Sequence, residues 1–384
     1  MTIAALNYMA GFKCLASACA DNCCRYWSIP VDDRFHDRFS QRCLEAQTYH
    51  RHFPARFKQG RGFRAVLPLD DDGKCVFLRP DGLCDIHCTY GEHCLPDACA
   101  LYPRITTRMN DRLECAASFS CPEMGQRALF LNSGLQLDEN RVHLPRLKAM
   151  VSIDLENPEI YQQLRRCCLE ILQARRLAVE NRMVLLGELI SELGDGLPDQ
   201  PHRLGLICTA FTRTARAGKW HPPGRPVPEL HLATAKALLS LRFGFVLDCP
   251  DSHSLLSRST AGAAGTGRGT VDRYLDTYRR KLAPGLTRLG PVLENFLVNS
   301  VFKDRFLLPG QPYRDQFIDL VIRFVLIRFL LVQVAAAREL SPGSVTAAVM
   351  IFSRSLDHHG AYFQRARQHL QTQSTDTLPL ILRI

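Results

Sequence analysis

Four thiols fall within eleven residues near the start of the chain: Cys14, Cys19, Cys23 and Cys24, spaced C-x4-C-x3-C-C, with Trp27 just beyond. Thiolates are soft donors. They select zinc, copper(I) or iron–sulfur clusters over hard cations. A tight turn would let all four converge on one centre. The competing use of cysteine is as a small buried side chain, and four so close together weigh against it. Successive side chains usually diverge, so Cys23 and Cys24 need not face the same metal.

A second run, C-V-F-L-R-P-D-G-L-C-D-I, begins at Cys75 and includes Cys84; Cys88, Cys94 and Cys99 follow, then L-Y-P-R at 101–104. A third holds Cys115 and Cys121 in E-C-A-A-S-F-S-C-P-E. These spacings are too irregular for a zinc finger of the C-x2-C type, but a centre built from distant loops is open to them. Zinc therefore stands beside iron–sulfur as the alternative metal, with His87 or His93 as further ligands. The commoner role of each histidine is a surface or turn residue. The radical-SAM spacing C-x3-C-x2-C is not met. Cys19 and Cys23 supply its first half, but Tyr26 stands at the next position. The repeated βα units of a barrel are not evident either.

The elements that must position these thiols divide the chain unevenly. Of 16 cysteines, 12 lie at or before Cys121; the others are Cys167, Cys168, Cys208 and Cys249. The expected fold is mainly α: a loop-rich, cysteine-ligated N-terminal metal domain at 1–125, then a larger, mostly helical domain at 126–384. Turn signals Asp72-Gly73 and Asp81-Gly82, with Pro80, Pro96 and Pro103, punctuate the head. A metal often replaces a large core in such segments. In the body, Asn157-Pro158 reads as an N-cap with proline at the first helical position. The apolar spacing of Ile160, Leu164, Cys167 and Ile171 predicts a helix running to Gly194. Further helices are expected over about 228–244, 271–282, 291–303, 313–340 and 344–369. Cys167 falls on an apolar stripe and is read as packing, and Cys168, Cys208 and Cys249 are read the same way. The glycine-rich stretch 261–269 lacks a preceding strand and reads as a loop, not a phosphate cradle.

Lysine and arginine outnumber aspartate and glutamate by 48 to 38, a net charge of +10. Such a surface favours anions generally. No dense basic block marks a nucleic-acid site. The balance is local: residues 1–67 carry ten basic and five acidic side chains, while 68–99 carry seven acidic and two basic. The acidic stretch would suit a cationic substrate, although solvated turns are its plainer use. The start shows no secretory pattern. Arg323 and Arg328 interrupt the most apolar stretch, Leu320 to Ala337, which favours a buried helix over a membrane span. A cytosolic protein is expected, and reduced thiols there suit metal chemistry better than disulfides.

The arrangement resembles the flagellin lysine-N-methylase family. The opening N-Y-M-x-G-F-K-C, the C-x4-C-x3-CC-x-x-W cluster, C-x-F-L-x-x-D-G-L-C-x-I, C-x-L-Y-P-R and the S-C-P-E segment appear in order, and E-N-F-L-V-N-S-V-F at 294–302 resembles a further family segment. The head alone also resembles small iron- or zinc-chelating cysteine modules. The matching cysteines are Cys14, Cys19, Cys23, Cys24, Cys75, Cys84, Cys99, Cys115 and Cys121; Cys43, Cys88 and Cys94 fall outside the motifs. The resemblance implies transfer of methyl groups from S-adenosylmethionine to lysines of flagellin. It also implies an oxygen-sensitive [4Fe-4S] cluster and a place in the bacterial cytosol, compatible with peripheral membrane contact and self-association. Nine thiols exceed the four a cubane needs, so some would be structural or serve a second metal. Tyr102 or the acidic segment could face the donor's sulfonium. The reading from a different class is a non-catalytic iron- or zinc-binding module with a helical partner-binding body.

Overall fold

The computed structural model describes residues 2–19, 21–25, 27, 29–31, 35, 37–39, 41, 58–60, 63–67, 69–139, 149–194, 201–242, 268–371 and 378–384. Cys43, Cys249 and the glycine-rich stretch up to residue 267 lie outside them.

The mainly helical character holds, and the head contains more strand than its turn signals suggested. Two sheets organise it. The first has the order β7-β1-β6-β5-β8, from β1 (Thr2–Leu6), β5 (Arg104–Met109), β6 (Arg112–Ala117), β7 (Leu137–Glu139) and β8 (Val151–Ile153). The second joins β2 (Ile29–Val31), β4 (Phe63–Leu67) and β3 (Lys58–Gly60) in that order. β5 and β6 form an antiparallel hairpin, and β1 pairs with β6 in parallel. Because β7 and β8 complete this sheet, it continues past residue 125. Its side chains enter the same large core as the helices: Leu6, Leu113 and Ala117 pack in one cluster with Leu164, Leu186 and Val298. A smaller core around Phe39, Phe77, Ile86 and Cys94 holds the rest of the head.

At the centre lies the helix Val292–Lys303, buried along its whole length. It carries Glu294, Asn295 and Asn299, each at most 3% exposed. Buried polar groups are tolerable only when hydrogen-bonded. Asn299 Nδ2 donates to the Ala117 carbonyl (3.0 Å), and its Oδ1 accepts from the Tyr8 hydroxyl (2.6 Å). The Tyr8 oxygen in turn accepts from the Ala117 amide (3.0 Å). Three segments are locked by one closed ring of bonds. Asn295 Nδ2 donates to the carbonyls of Ala128, Leu129 and Leu131, filling acceptors that the short helix Pro122–Leu129 leaves at its end.

Glu294 explains why the expected helix 158–194 is two helices, Pro158–Leu172 and Val179–Leu193. Its carboxylate binds Arg175 (2.8 Å) and Arg182 (2.8 Å). Arg182 also donates to the carbonyls of Leu172 (2.6 Å) and Leu177 (2.8 Å), satisfying the chain where it turns. Neither glycine nor proline marks this break. Asn157 stands at the N-cap with Pro158 after it, as expected, but its side chain makes no capping bond. On the sheet side, Arg165 forms a bidentate pair with Glu114 of β6, both 5% exposed or less.

The helices Pro228–Arg242, Arg268–Thr277 and Tyr313–Ala337 follow the expected periodicity. Pro201–Ala217 adds a helix that was not foreseen. Tyr313–Ala337 is long and apolar enough to cross a membrane, yet 83% of its apolar window is buried inside the protein. Its two arginines in the apolar stretch, Arg323 and Arg328, are paired internally. Arg328, fully buried, bonds Glu180 (3.2 Å), His231 Nδ1 (2.9 Å) and the Leu382 carbonyl (2.8 Å). Arg323 pairs with Asp357 (2.9 Å) and Asp304 (3.2 Å). The expected helix 344–369 is interrupted: Pro342–Phe352 runs into a π-type turn, Ser353–Asp357, before Gly360–Gln371. Asp357 is held there by Arg323 and Lys303 (2.9 Å).

Replacing Asn299 by alanine strands the Ala117 carbonyl and removes the acceptor for Tyr8. We expect a loss of about 2–4 kcal/mol, seen as a lower denaturation midpoint followed by circular dichroism. An unchanged midpoint would show that the ring carries no stability.

Candidate metal centre

Cys23 and Cys24 lie in a bend, followed by a single bridge between Arg25 and Lys74. The Cys75 amide donates to the Cys24 carbonyl (2.8 Å), laying the second cysteine run against the first. Short bridges Leu69↔Cys75 and Leu78↔Cys84 fold the second run back on itself, around the turn containing Gly82. Gly82 has φ +79°, a left-handed conformation that glycine adopts without cost. The Gly82 carbonyl accepts from Asn22 (2.8 Å), which ties this turn to the first cluster.

These contacts bring Cys23, Cys24, Cys75 and Cys84 together. The Cys23 and Cys24 thiols are electrostatically coupled, and Cys24 feels Cys75 and Cys84 as well. The bend thus lets two adjacent thiols meet where ordinary backbone would send them apart. Cys75 feels both Cys84 and Cys23. A second branch also reaches Cys23: Cys19 feels Cys14 and Cys23, and Cys121 feels Cys19 and Cys23. Seven of the nine motif thiols are therefore linked around Cys23: Cys19, Cys24, Cys75 and Cys121 directly, and Cys14 and Cys84 at one remove. Cys115 is apart from this set. It lies in β6, beside Tyr8 and Arg104, within the large core. Cys99 packs half-buried against the smaller core.

The thiols are not equivalent. Burial pushes Cys75 up to about 11 and Cys121 to about 12. Cys84 is raised mainly by burial too, although it stands just before the helix Asp85–Tyr90, where first-turn amides favour a thiolate. Cys23 is the exception and is lowered. The bond from Cys24 is the main cause, and the Arg354 guanidinium contributes. Arg354 comes from the π-type turn more than three hundred residues away. It donates to the Ser120 carbonyl (3.1 Å) and pairs with Asp21 (2.7 Å), between Cys19 and Cys23.

Beside the thiols lies a polar and aromatic wall. Tyr102 stacks obliquely on Trp27, with ring centroids 5.3 Å apart. Trp27 Nε1 donates to the Cys23 carbonyl. The Tyr102 hydroxyl meets Ser120 Oγ (3.1 Å), and Ser120 meets Ser118 (2.7 Å) and His358 Nε2 (3.3 Å). Ser118, Ser120, Arg354 and His358 carried no sequence signal of their own. Ser118 and Ser120 were visible only as neighbours of Cys121, and His358 sits in a predicted helix that tertiary contacts interrupt.

His87 is exposed within the helix Asp85–Tyr90, and His93 is exposed in the 3-10 turn Glu92–Cys94. The acidic segment also builds its own turns: Asp70 accepts from the amides of Asp72 (3.0 Å) and Lys74 (2.8 Å), and Asp81 from Leu83 (3.1 Å). Cys167, Cys168 and Cys208 are buried in the large core.

The donors suit a thiophilic centre, because a soft metal would convert neighbouring raised thiols to thiolates. Among the described residues, no three histidine, cysteine, aspartate or glutamate side chains already surround one point at single-ion distance.

Fold and site together define a mainly helical protein with a mixed sheet and a thiol-rich centre at their junction. Residues 165–384 match the FliB lysine N-methylase C-terminal domain, so the chain belongs to the FliB lysine N-methylase family. The lysine-N-methylase of Salmonella typhimurium (strain LT2) is 24% identical over 144 residues, covering 37% of this chain and 36% of that protein. The flagellar biosynthetic protein FliU of Salmonella muenchen is 24% identical over 143 residues, 37% of this chain and 85% of that protein. The alignment thus spans about a third of the length of the Salmonella typhimurium lysine-N-methylase. No solved structure matches the chain.

Arg354→Gln removes a cation that favours the Cys23 thiolate. In reduced, metal-free protein near pH 7, alkylation of Cys23 should slow by about two- to fivefold, measured by mass spectrometry of the labelled peptide. An unchanged rate would remove Arg354 as an influence on that thiol.

Proposed function

We propose that this protein transfers methyl groups from S-adenosylmethionine to lysine side chains of flagellin, with a [4Fe-4S] cluster held by N-terminal cysteines. The observation that carries the reading is the meeting of two separate motif runs, where the Cys75 amide donates to the Cys24 carbonyl and Cys24, Cys75 and Cys84 pack in one small core. Three of these thiols are enough to hold a cubane and leave its fourth iron without a cysteine. When bound, such a cluster would supply, at the iron not held by cysteine, a place to anchor the donor.

The chain's own residues serve the rest of the reaction. Trp27 and Tyr102 give an aromatic surface beside Cys23, and aromatic faces stabilise a sulfonium as they do other cations. A lysine amine has an ordinary pKa near 10.4, so its ammonium must lose a proton before attack. Desolvation against the aromatic wall lowers that pKa. Direct displacement by the neutral amine then requires no radical chemistry. The cytosol is the fitting location, since the thiols must stay reduced.

The test is anaerobic purification, metal and sulfide analysis, and methyl transfer to flagellin. We expect about four iron and four sulfide per chain, with turnover dependent on S-adenosylmethionine. Cys23→Ser or Cys75→Ser should lose iron and activity together, while Cys167→Ser in the large core keeps the iron. Iron without methyl transfer would favour the non-catalytic module. Zinc without iron or sulfide would reject the cluster.

A further inference from the structure

Methylation of a lysine releases a proton. An ammonium R–NH3+ and a methyl sulfonium yield R–NH2+–CH3, a neutral thioether and H+. The carbon–sulfur bond breaks with its electron pair left on sulfur, and the amine lone pair forms the new nitrogen–carbon bond. The displaced proton has to travel from a site walled by buried side chains to solvent.

The hydrogen-bond chain beside the thiols has the form of such a route. It begins at Tyr102, which packs on Trp27 and feels both Cys23 and Cys121. It passes to Ser120 (3.1 Å), only 3% exposed, and then to His358 Nε2 (3.3 Å). Ser118, 2% exposed, offers a parallel link at 2.7 Å from Ser120 and 3.1 Å from His358. His358 itself is exposed. The chain is therefore continuous from the thiol centre to the surface. In each hydroxyl contact either oxygen can be the donor, so the bonds can reverse after a proton passes.

We propose that Tyr102, Ser120 and His358 conduct the proton released by methyl transfer, with His358 as its solvent-facing acceptor. The proposal rests on the methyl-transfer reading above. The amine's proton goes to the Tyr102 oxygen as the Tyr102 proton passes to Ser120. The Ser120 proton passes to His358 Nε2, and the imidazolium then gives its proton to water. Tyr102 takes part without ionising, since burial pushes its phenol well above the ordinary value.

The surroundings of His358 favour an acceptor. Burial of its inward edge lowers it from the ordinary histidine value, Lys303 and His359 add to that, and Asp357 and Asp304 act in the opposite sense. Asp357 is itself held by Lys303 and Arg323. Arg354, on the Ser120 carbonyl, adds a further positive charge nearby. A neutral imidazole at neutral pH can take a proton. Ser120 and His358 act on the proton alone, while the Tyr102 ring also faces the donor and its hydroxyl serves the proton.

The test uses cluster-loaded protein, flagellin and S-adenosylmethionine, with rates from about pH 5.5 to 9, which brackets the imidazole range. His358→Gln should lower the rate about tenfold or more near neutrality and abolish the limb set by the imidazole. Added free imidazole should restore the rate in proportion to its concentration. Ser120→Ala, which cuts the link to Tyr102, should lose far more than Ser118→Ala, which leaves the 3.3 Å contact in place. Melting temperatures of the variants separate misfolding from lost conduction. An active wild type with an unaffected His358→Gln, or a slow His358→Gln that imidazole cannot rescue, would overturn the relay alone. A cluster-loaded wild type that transfers no methyl group would overturn the functional reading and the relay with it.

Discussion

Helix Val292–Lys303 has no exposed face, yet it carries two asparagines and a glutamate. A buried polar group without a partner costs about 1–3 kcal/mol, so each one dictates where a neighbouring backbone must be. Asn299 fixes β6 against the turn that follows β1. Asn295 fixes the end of Pro122–Leu129. Glu294 fixes the bend between two helices. The segment E-N-F-L-V-N-S-V-F is therefore less a surface for ligands than the internal template on which sheet and helices are registered.

That registration reaches the thiols. β6 leads directly into Ser118, Ser120 and Cys121, and Asn299 holds its last residue, Ala117. From the other side, the ion pairs of Asp357 with Lys303 and Arg323 anchor the turn that presents Arg354 and His358. The same central helix supplies Lys303. The cysteine-rich head and the helical body thus share one site. The head contributes sulfur and aromatic rings. The body contributes a guanidinium beside Cys23 and an imidazole beside Ser120.

The electrostatics of the thiols run parallel to this. Burial raises Cys75, and Cys84 and Cys23 raise it further, because a second thiolate would be repelled by the first. Cys23 escapes through a bond from Cys24 and the charge of Arg354. A set with one easily ionised member and several reluctant ones would release protons on binding a soft cation.

By itself the sequence determined the chemistry available and much of the helical layout. Cysteine spacing, the Y-P-R and S-C-P-E segments and the E-N-F-L-V-N-S-V-F run were legible because they are local. So were helices whose apolar period is uninterrupted, such as Tyr313–Ala337. Tertiary structure decided which thiols meet, because Cys24 and Cys75 are joined by a backbone bond across fifty residues. It decided that two helices break, since the causes are the buried carboxylates Glu294 and Asp357 drawing in distant cations. It also made β1, β6 and β7 one sheet and placed His358 beside Ser120. Those contacts join residues far apart in the chain, and no local pattern of types or spacing encodes such a pairing.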